Sequence, residues 1–263
     1  LNDQNNYEST FNHGMDGNVL ILLKVCAMNS FGTEGCSEII QNPVASLTPN
    51  LIADLYSSES NGELVTIEGI VTVGTGPIWN DTFNKAILQD ESGRGMMLSK
   101  YQLTYGLNEF ERGDKILVAG FTSDTIYSRT TSCFHLKDFN YTIISENNEL
   151  PPPIIVSPSE MDSHLYEGTL IRTTGNITDK SMISYMVWGF NGYSYDIDNV
   201  SKVVIWNGSM INTTSLEPGY FGQFTGVGTY IKDNNLDFTE QEFHLLVGYE
   251  DDLSPGIPDS CEN

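Results

Sequence analysis

Basic residues are scarce in this chain: 12 Lys and Arg stand against 35 Asp and Glu, which gives a net charge of −23 at pH 7. No segment is basic enough to neutralise a run of phosphates, and an acidic surface repels polyanions, so nucleic acid is an improbable partner. No run of 18 apolar residues occurs, which argues against a membrane span. The chain begins at Leu1 without a basic and apolar leader, so we expect a mature or partial chain.

Signatures of catalysis are also missing. The chain contains no HExxH, CxxC, GxSxG or phosphate-cradling glycine loop. His13, His135, His164 and His244 are scattered, although His135 and His244 occupy matching places in the repeat described below. We interpret that pair as strand residues retained by the fold. The sequence therefore predicts that the protein is not an enzyme and holds no cofactor, with Ca²⁺ as the one ion to consider.

Four cysteines are few. Cys26 and Cys36 lie five residues to either side of Phe31, so a hairpin turn at residues 29–33 would place them on paired strands at a separation that a disulfide can bridge. We predict a Cys26–Cys36 disulfide, the alternative being two buried free thiols. Cys133 and Cys261 can bond each other, bond another chain or stay free.

Six Asn-x-Ser/Thr sequons permit N-glycosylation. Together with the predicted disulfide and the acidic, Lys-poor composition, they favour an extracellular or cell-surface location. The candidate residues are Asn80, Asn140, Asn176, Asn199, Asn207 and Asn212.

The chain repeats itself at a spacing of 106 residues. LVTIEGIVT at residues 64–72 returns as LIRTTGNIT at residues 170–178. Widely spaced glycines and apolar patterns do not stay in one register by chance, so the sequence predicts an internal duplication of one domain. The same spacing, without a gap, pairs Gly62, Gly69, Gly113 and Gly120 with Gly168, Gly175, Gly219 and Gly226.

Each copy has about five short strands in roughly 100 residues, with glycine at the bends and little helix. KAILQDESGRGMMLSK, for example, has two apolar runs around a hairpin signal, and ERGDKILVAG is a polar turn followed by a buried strand. Strands of this number and length predict a small closed barrel, in which glycine permits the sharp coiling at the corners.

The succession of a G-x-V strand, a QD-x-x-G-x-G hairpin and a GD-containing strand ending in glycine resembles the OB-fold modules of secreted bacterial and archaeal surface and nuclease-associated proteins. The matching residues in the first copy are Gly69 to Val71, Gln89, Asp90, Gly93, Gly95 and Gly113 to Gly120. The second copy diverges, with Tyr195 in place of Gln89 and the hairpin glycines replaced by Asn199 and Ser201. The resemblance implies an all-β chain with two tandem five-stranded OB-like barrels, at residues 46–149 and 150–263.

The remaining residues, 1–45, resemble the last two strands of a fibronectin type III domain, through Val25, Ala27, Asn29, Gly32 and Ser37. A two-stranded hairpin is marginal alone and a whole domain of that type needs about 100 residues. Three readings stay open. The chain is a fragment of a longer protein, the strands pack on the first barrel, or they complete a sheet in a neighbouring subunit.

Two ligand classes remain to be weighed. Oxygen-rich loops can hold Ca²⁺, and the weak candidates are Asp196, Asp198, Asp233 and Asp237, although a solvated acidic turn is the simpler reading. OB folds stack bases on exposed aromatic residues beside a basic groove, but the basic residues here are too few. We therefore assign the aromatic residues to core packing or protein contact. They are Trp79, Phe83, Tyr101, Tyr105, Tyr127, Trp188, Phe190, Tyr193 and Trp206, and the basic set is Arg94, Lys100, Arg112 and Arg129.

The sequence thus predicts a non-catalytic extracellular structural or adhesive protein. It would be a subunit or segment of a cell-surface assembly or filament, with itself or other surface proteins as partners, joined by strand addition through residues 17–40. The alternative is an accessory OB module of a secreted nuclease-like protein that captures nucleic acid or carbohydrate.

Overall fold

The structure is a computed structural model that describes residues 7–13, 19–28, 34–41, 48–58, 61–77, 83–101, 110–123, 134–185, 190–232 and 241–256, with the backbone alone for residues 7–41. It is mostly β, as the composition and strand patterns predicted. The strands form three separate sheets. None of the described helices is both long enough and apolar enough to cross a membrane.

The first sheet is antiparallel and has three strands, β1 (Tyr7–His13), β2 (Val19–Met28) and β3 (Glu34–Gln41), in the order β1-β2-β3. The prediction of a two-stranded hairpin is therefore wrong by one strand, because β1 pairs with the free edge of β2. The β2–β3 hairpin itself is present, and its register places Cys26 opposite Cys36. The disulfide stays a prediction.

The second sheet, which we call the first unit, is a closed barrel in the order β4-β5-β6-β8-β7. Its core consists of alternate residues of these strands, such as Val65 and Ile67 or Ala86 and Leu88. A short helix, α1 (Ile52–Ser57), packs Ile52 and Leu55 into that core. The strands are β4 (Leu64–Val73), β5 (Phe83–Gln89), β6 (Gly95–Tyr101), β7 (Lys115–Ser123) and β8 (His135–Ser145).

The third sheet, the second unit, has seven strands, and one extra pairing, between β13 and β10, joins five of them into a ring. Single 3-10 turns occur at Pro158–Glu160, His164–Tyr166, Asn207–Ser209 and Glu250–Asp252. The strands are β9 (Ile154–Ile155), β10 (Leu170–Tyr185), β11 (Phe190–Ile197), β12 (Ser201–Trp206), β13 (Phe221–Lys232), β14 (Gln241–Leu246) and β15 (Leu253–Pro255).

The two units repeat the same backbone hydrogen bonds at one turn, at the predicted spacing of 106 residues. Gly113 and Gly219 both have a left-handed backbone, with φ of 93° and 95°, at the same turn. In the first unit Val71 N donates to Asp114 O (2.8 Å) and Gly113 N donates to Val71 O (2.9 Å). The second unit has the matching bonds, Ile177 N to Tyr220 O (2.8 Å) and Gly219 N to Ile177 O (2.8 Å).

The prediction that this spacing needs no gap is wrong for the hairpin formed by the second and third ring strands of each unit. Leu88 pairs with Val71 and Met96, whereas Ile197 pairs with Ile177 and Ser201. The matching strands therefore lie 109 residues apart (88 to 197) and 105 residues apart (96 to 201).

Candidate functional site

Side chains of the two units converge in a contact between the units, outside the two barrel cores. Alternation along β5 sends Ala86 and Leu88 into the core and leaves Ile87 on the outer surface. Ile87 and two neighbours form a buried apolar cluster with outer residues of the second unit. The cluster comprises Val73, Ile87 and Met97 from the first unit, and Leu170, Val204, Trp206, Val227 and Leu246 from the second.

Polar groups close the edges of this cluster, and Gln89 of the QD motif is one of them. Its Oε1 accepts a hydrogen bond from Leu170 N at 2.9 Å, in a buried position. The neighbouring Asp90 serves the first unit instead, because its Oδ2 accepts from Ile52 N (2.6 Å) at the start of α1. Further bonds between the units run from Gly74 N to the Tyr249 hydroxyl (2.9 Å) and from Phe134 N to Glu167 Oε1 (2.7 Å).

A glycine pair allows the two backbones to touch. A Cβ added at Gly95 would overlap the carbonyl group of Gly168, and one added at Gly168 would lie 2.6 Å from the Gly95 oxygen. Real Cβ atoms do not approach backbone so closely. Glycine is therefore required at both positions by the contact between the units.

Two of the candidate basic residues, Arg94 and Arg112, are used in the same contact. Arg94 donates to the Leu165 carbonyl and, at 3.0 Å, to the His164 carbonyl. Arg112 pairs with Asp252 at 2.6 Å and with Asp251 at 3.2 Å, and its guanidinium stacks 4.3 Å above the Tyr249 ring. Lys100 and Arg129 lie outside the described side chains. No groove of free basic residues therefore forms from this set in the described part.

Asp252, which pairs with Arg112 across the contact, is a buried acid. Burial raises the pKa of Asp252 from 3.8 to about 6, although the neighbouring Arg112 opposes the rise. Burial likewise raises the pKa of the Tyr249 hydroxyl. The charged form of Asp252 is thus costly in the folded chain despite its ion pair, as expected when desolvation outweighs Coulomb attraction.

This shift predicts a pH dependence of stability. The folded chain holds the Asp252 proton more tightly than the unfolded chain, so the stabilisation is complete below pH 3.8 and is lost as pH rises through about 6. The loss is on the order of 3 kcal/mol. Asp252→Asn cannot titrate and should lack this dependence. The measurement is urea unfolding of both proteins from pH 4 to 7, and a wild-type-minus-variant difference that does not change with pH would contradict the shift.

In two of the described clefts, most of the charged side chains already have partners. A cleft of about 670 Å³ beside β4 and β9 contains Glu68 and Lys115, which pair with each other at 2.7 Å. It also contains Asp90, whose oxygens bond Ile52 and Ser92. A second cleft, of about 740 Å³, contains Arg112 with its partners Asp251 and Asp252. These charges in the two clefts are therefore paired with each other or bonded to the fold.

The Ca²⁺ candidates fall in two groups. Asp196 lies 3.4 Å from Lys202, and Asp198 Oδ1 accepts a hydrogen bond from Asn176 N at 3.0 Å. Asp233 and Asp237 lie outside the described residues. Among the described residues no three His, Cys, Asp or Glu side chains gather as a metal site.

The repeated histidines occupy matching places on the last ring strands, as the repeat predicted. His135 lies in β8 and His244 in β14, and both are buried. Of the aromatic candidates whose side chains are described, Trp206 is buried in the contact between the units, and Tyr193 packs partly buried against the core of the second unit. Trp79, Tyr105, Tyr127 and Trp188, and the side chains of Phe83, Tyr101 and Phe190, lie outside the described set.

Five sequon asparagines lie in the described part, and all five are exposed: Asn140, Asn176, Asn199, Asn207 and Asn212. Asn80 lies outside it. None of the five belongs to the buried cluster between the units. Glycosylation at these positions stays a prediction.

The contact between the units was missed by the sequence reasoning. One signal could have revealed it, because the first copy has a hairpin with Gln89, Arg94 and Gly95, whereas the strand registers show that the second copy has a hairpin four residues shorter, with Asp198 and Val200 in the places of Gln89 and Gly95. Residues present in one copy of a repeat and absent from the other are candidates for a contact that only one copy makes.

No protein-family model matches this chain. A comparison with curated proteins also gives no significant match.

Proposed function

We propose that the chain is a non-catalytic structural or adhesive module of an extracellular assembly, built from two OB-like barrels and an N-terminal sheet that connects it to its partners. The ring order of each unit, with the fifth strand between the third and the fourth, supports the OB-like assignment. The boundaries at residues 46–149 and 150–263 accommodate the two strand rings.

The proposal rests mainly on one observation: the outer faces of ring strands in both units are buried in the contact between the units. OB folds bind oligonucleotides and oligosaccharides mainly on the face of the second and third strands. In the first unit those strands are β5 and β6, and their outer residues Ile87 and Met97 are buried against the second unit. In the second unit the outer residues Val204 and Trp206 of the third strand are buried in the same cluster.

The charge of the contact supports the same conclusion. Capture of a polyanion needs free basic residues, and Arg94 and Arg112 are bonded across the contact. A stacking platform needs accessible rings, and Trp206 is 6% exposed. A tandem whose ligand faces close on each other is suited to act as a stiff spacer.

Electron microscopy of the protein isolated without refolding from its native surface tests the proposal. Ordered fibres or sheets are expected, and a chain lacking residues 1–45 should keep both units folded, by circular dichroism, but not assemble. Dispersed particles, together with retardation of an oligonucleotide in a gel, would instead support the alternative, an accessory nucleic-acid- or carbohydrate-binding module.

A further inference from the structure

The N-terminal sheet has two chemically different faces. Successive residues of a strand alternate between faces, so the pairing register assigns each residue of β1, β2 and β3 to one of them. One face carries a row of charges, Glu8, Lys24 and Glu38, which lie opposite one another in register. The same face also carries apolar residues on either side of that row: Leu20, Leu22, Cys26, Met28, Cys36 and Ile40. The other, which we call the apolar face, has no Asp, Glu, Lys or Arg. Its apolar members are Tyr7, Phe11, Val19, Ile21, Leu23, Val25, Ala27 and Ile39.

This sheet lacks a packing layer in the described part of the chain. Its strands pair only with one another, and no other described element makes extensive contact with them. A small sheet with an apolar face needs a second layer for stability, because its own pairing does not remove that face from water.

A third unit cannot be added by repeating the contact that joins the first two units. A following unit docked on the second unit in the same way would meet position 200, which the strand registers make the counterpart of Gly95, because Leu88 pairs with Met96 and its counterpart Ile197 pairs with Ser201. Val200 has a Cβ where the contact requires none. Growth beyond two units therefore needs a different surface.

We propose that the apolar face packs against the same face of a second copy, so that the two sheets form a β-sandwich across a two-fold axis. A self-complementary patch is what such symmetry requires. Eight apolar residues that each bury on the order of 100 Å² give roughly 800 Å² per partner, the size of a standard stable interface. The inference rests on the proposed function and names the surface through which assembly begins.

Charge is consistent with this choice of surface. Each copy carries a net charge of −23, so two copies repel each other, and an uncharged contact adds no repulsion of its own. Salt screens the remaining repulsion over about 10 Å. The dimer should therefore become tighter as salt concentration rises, whereas a contact held by ion pairs would weaken.

Sedimentation velocity of the full chain tests the proposed face when adjacent residues of one strand, which lie on opposite faces, are substituted in turn. Leu23 lies on the apolar face, and Lys24 lies in the charged row of the opposite face. Wild type and Lys24→Gln should sediment as dimers, and Leu23→Glu should raise the dimer dissociation constant by about 100-fold or more, because a charge would be buried. Phe11→Glu and Asn12→Glu on the edge strand β1 provide a second matched pair in case a β2 variant loses its sheet by circular dichroism.

Equal effects within both pairs, or a wild type that stays monomeric up to about 100 µM, would overturn the proposed face. These outcomes are separate from failure of the proposed function. If native fibres form and both members of each pair still assemble, the structural role stands and the contact lies elsewhere, for instance at the open edges of β1 or β3.

Discussion

Replacing Gly95 by alanine should lower the free energy of unfolding by about 3 kcal/mol or more and should uncouple the two units. The added methyl group would overlap the carbonyl group of Gly168, which is backbone and cannot rotate away. The cluster around Ile87 and Trp206 would then open to water. Differential scanning calorimetry should show one cooperative transition for the wild type and two for the variant, since domains that lose their contact unfold independently.

Gly62 is the control for this substitution. It occupies the position in the first unit that Gly168 occupies in the second, and a Cβ there would meet nothing within 4 Å. Its φ of 77° makes alanine strained, so Gly62→Ala should cost about 1 kcal/mol without changing the number of transitions. If Gly95→Ala behaved like Gly62→Ala, the close approach of the two units would be wrong.

The repeat was predictable because its signals are local to the backbone. A glycine at φ near 95° is needed at the turn before the fourth ring strand in both units, so Gly113 and Gly219 stay in register whatever surrounds them. The apolar alternation of β4 and β10 follows from one face packing on a core. The number and type of ring strands could therefore be predicted from the sequence.

The contact between the units was not predictable by the same reasoning, because an outward-facing apolar residue gives the same alternation whether water or protein covers it. Ile87 lies in a continuous run, AIL, that is typical of a strand buried on both faces. Together with the following turn, the run also predicts a simple hairpin strand, which gives no sign of the contact. Arg94 and Arg112 belong to a set too small to form a basic groove, and the sequence does not show that these arginines bond carbonyl and carboxylate groups across a contact, for which arginine is well suited.

The extra strand β1 was missed for a different reason. Its sequence, YESTFNH, has only two strongly apolar residues and several polar ones, which is typical of an edge strand as much as of a loop. What defines it as a strand is the free edge of β2, and a non-local pairing of that kind has no signature in the segment itself. The hairpin of β2 and β3 was predictable because a short turn fixes its register.

Trp206→Ala should destabilise the protein by about 3–5 kcal/mol, the range measured for removal of large buried aromatic residues. Trp206 ends β12, is 6% exposed, and belongs to the apolar cluster that joins Ile87 and Met97 to the second unit. Most of the cavity would lie between the units rather than inside either core. The loss should therefore appear chiefly as separation of the units, with each ring retaining its strands by circular dichroism.

Met210→Ala is the matched control, since Met210 is four residues away in the same part of the second unit and 87% exposed. That change should alter stability by no more than about 0.5 kcal/mol. Limited proteolysis gives an independent readout, because uncoupled units should be cut between residues 146 and 153 faster than the wild type. A contrary result would be that Trp206→Ala still unfolds in one transition and that cleavage between residues 146 and 153 is unchanged. Trp206 would then stabilise the second unit alone, and the contact between the units, on which the structural role depends, would lose its main apolar support.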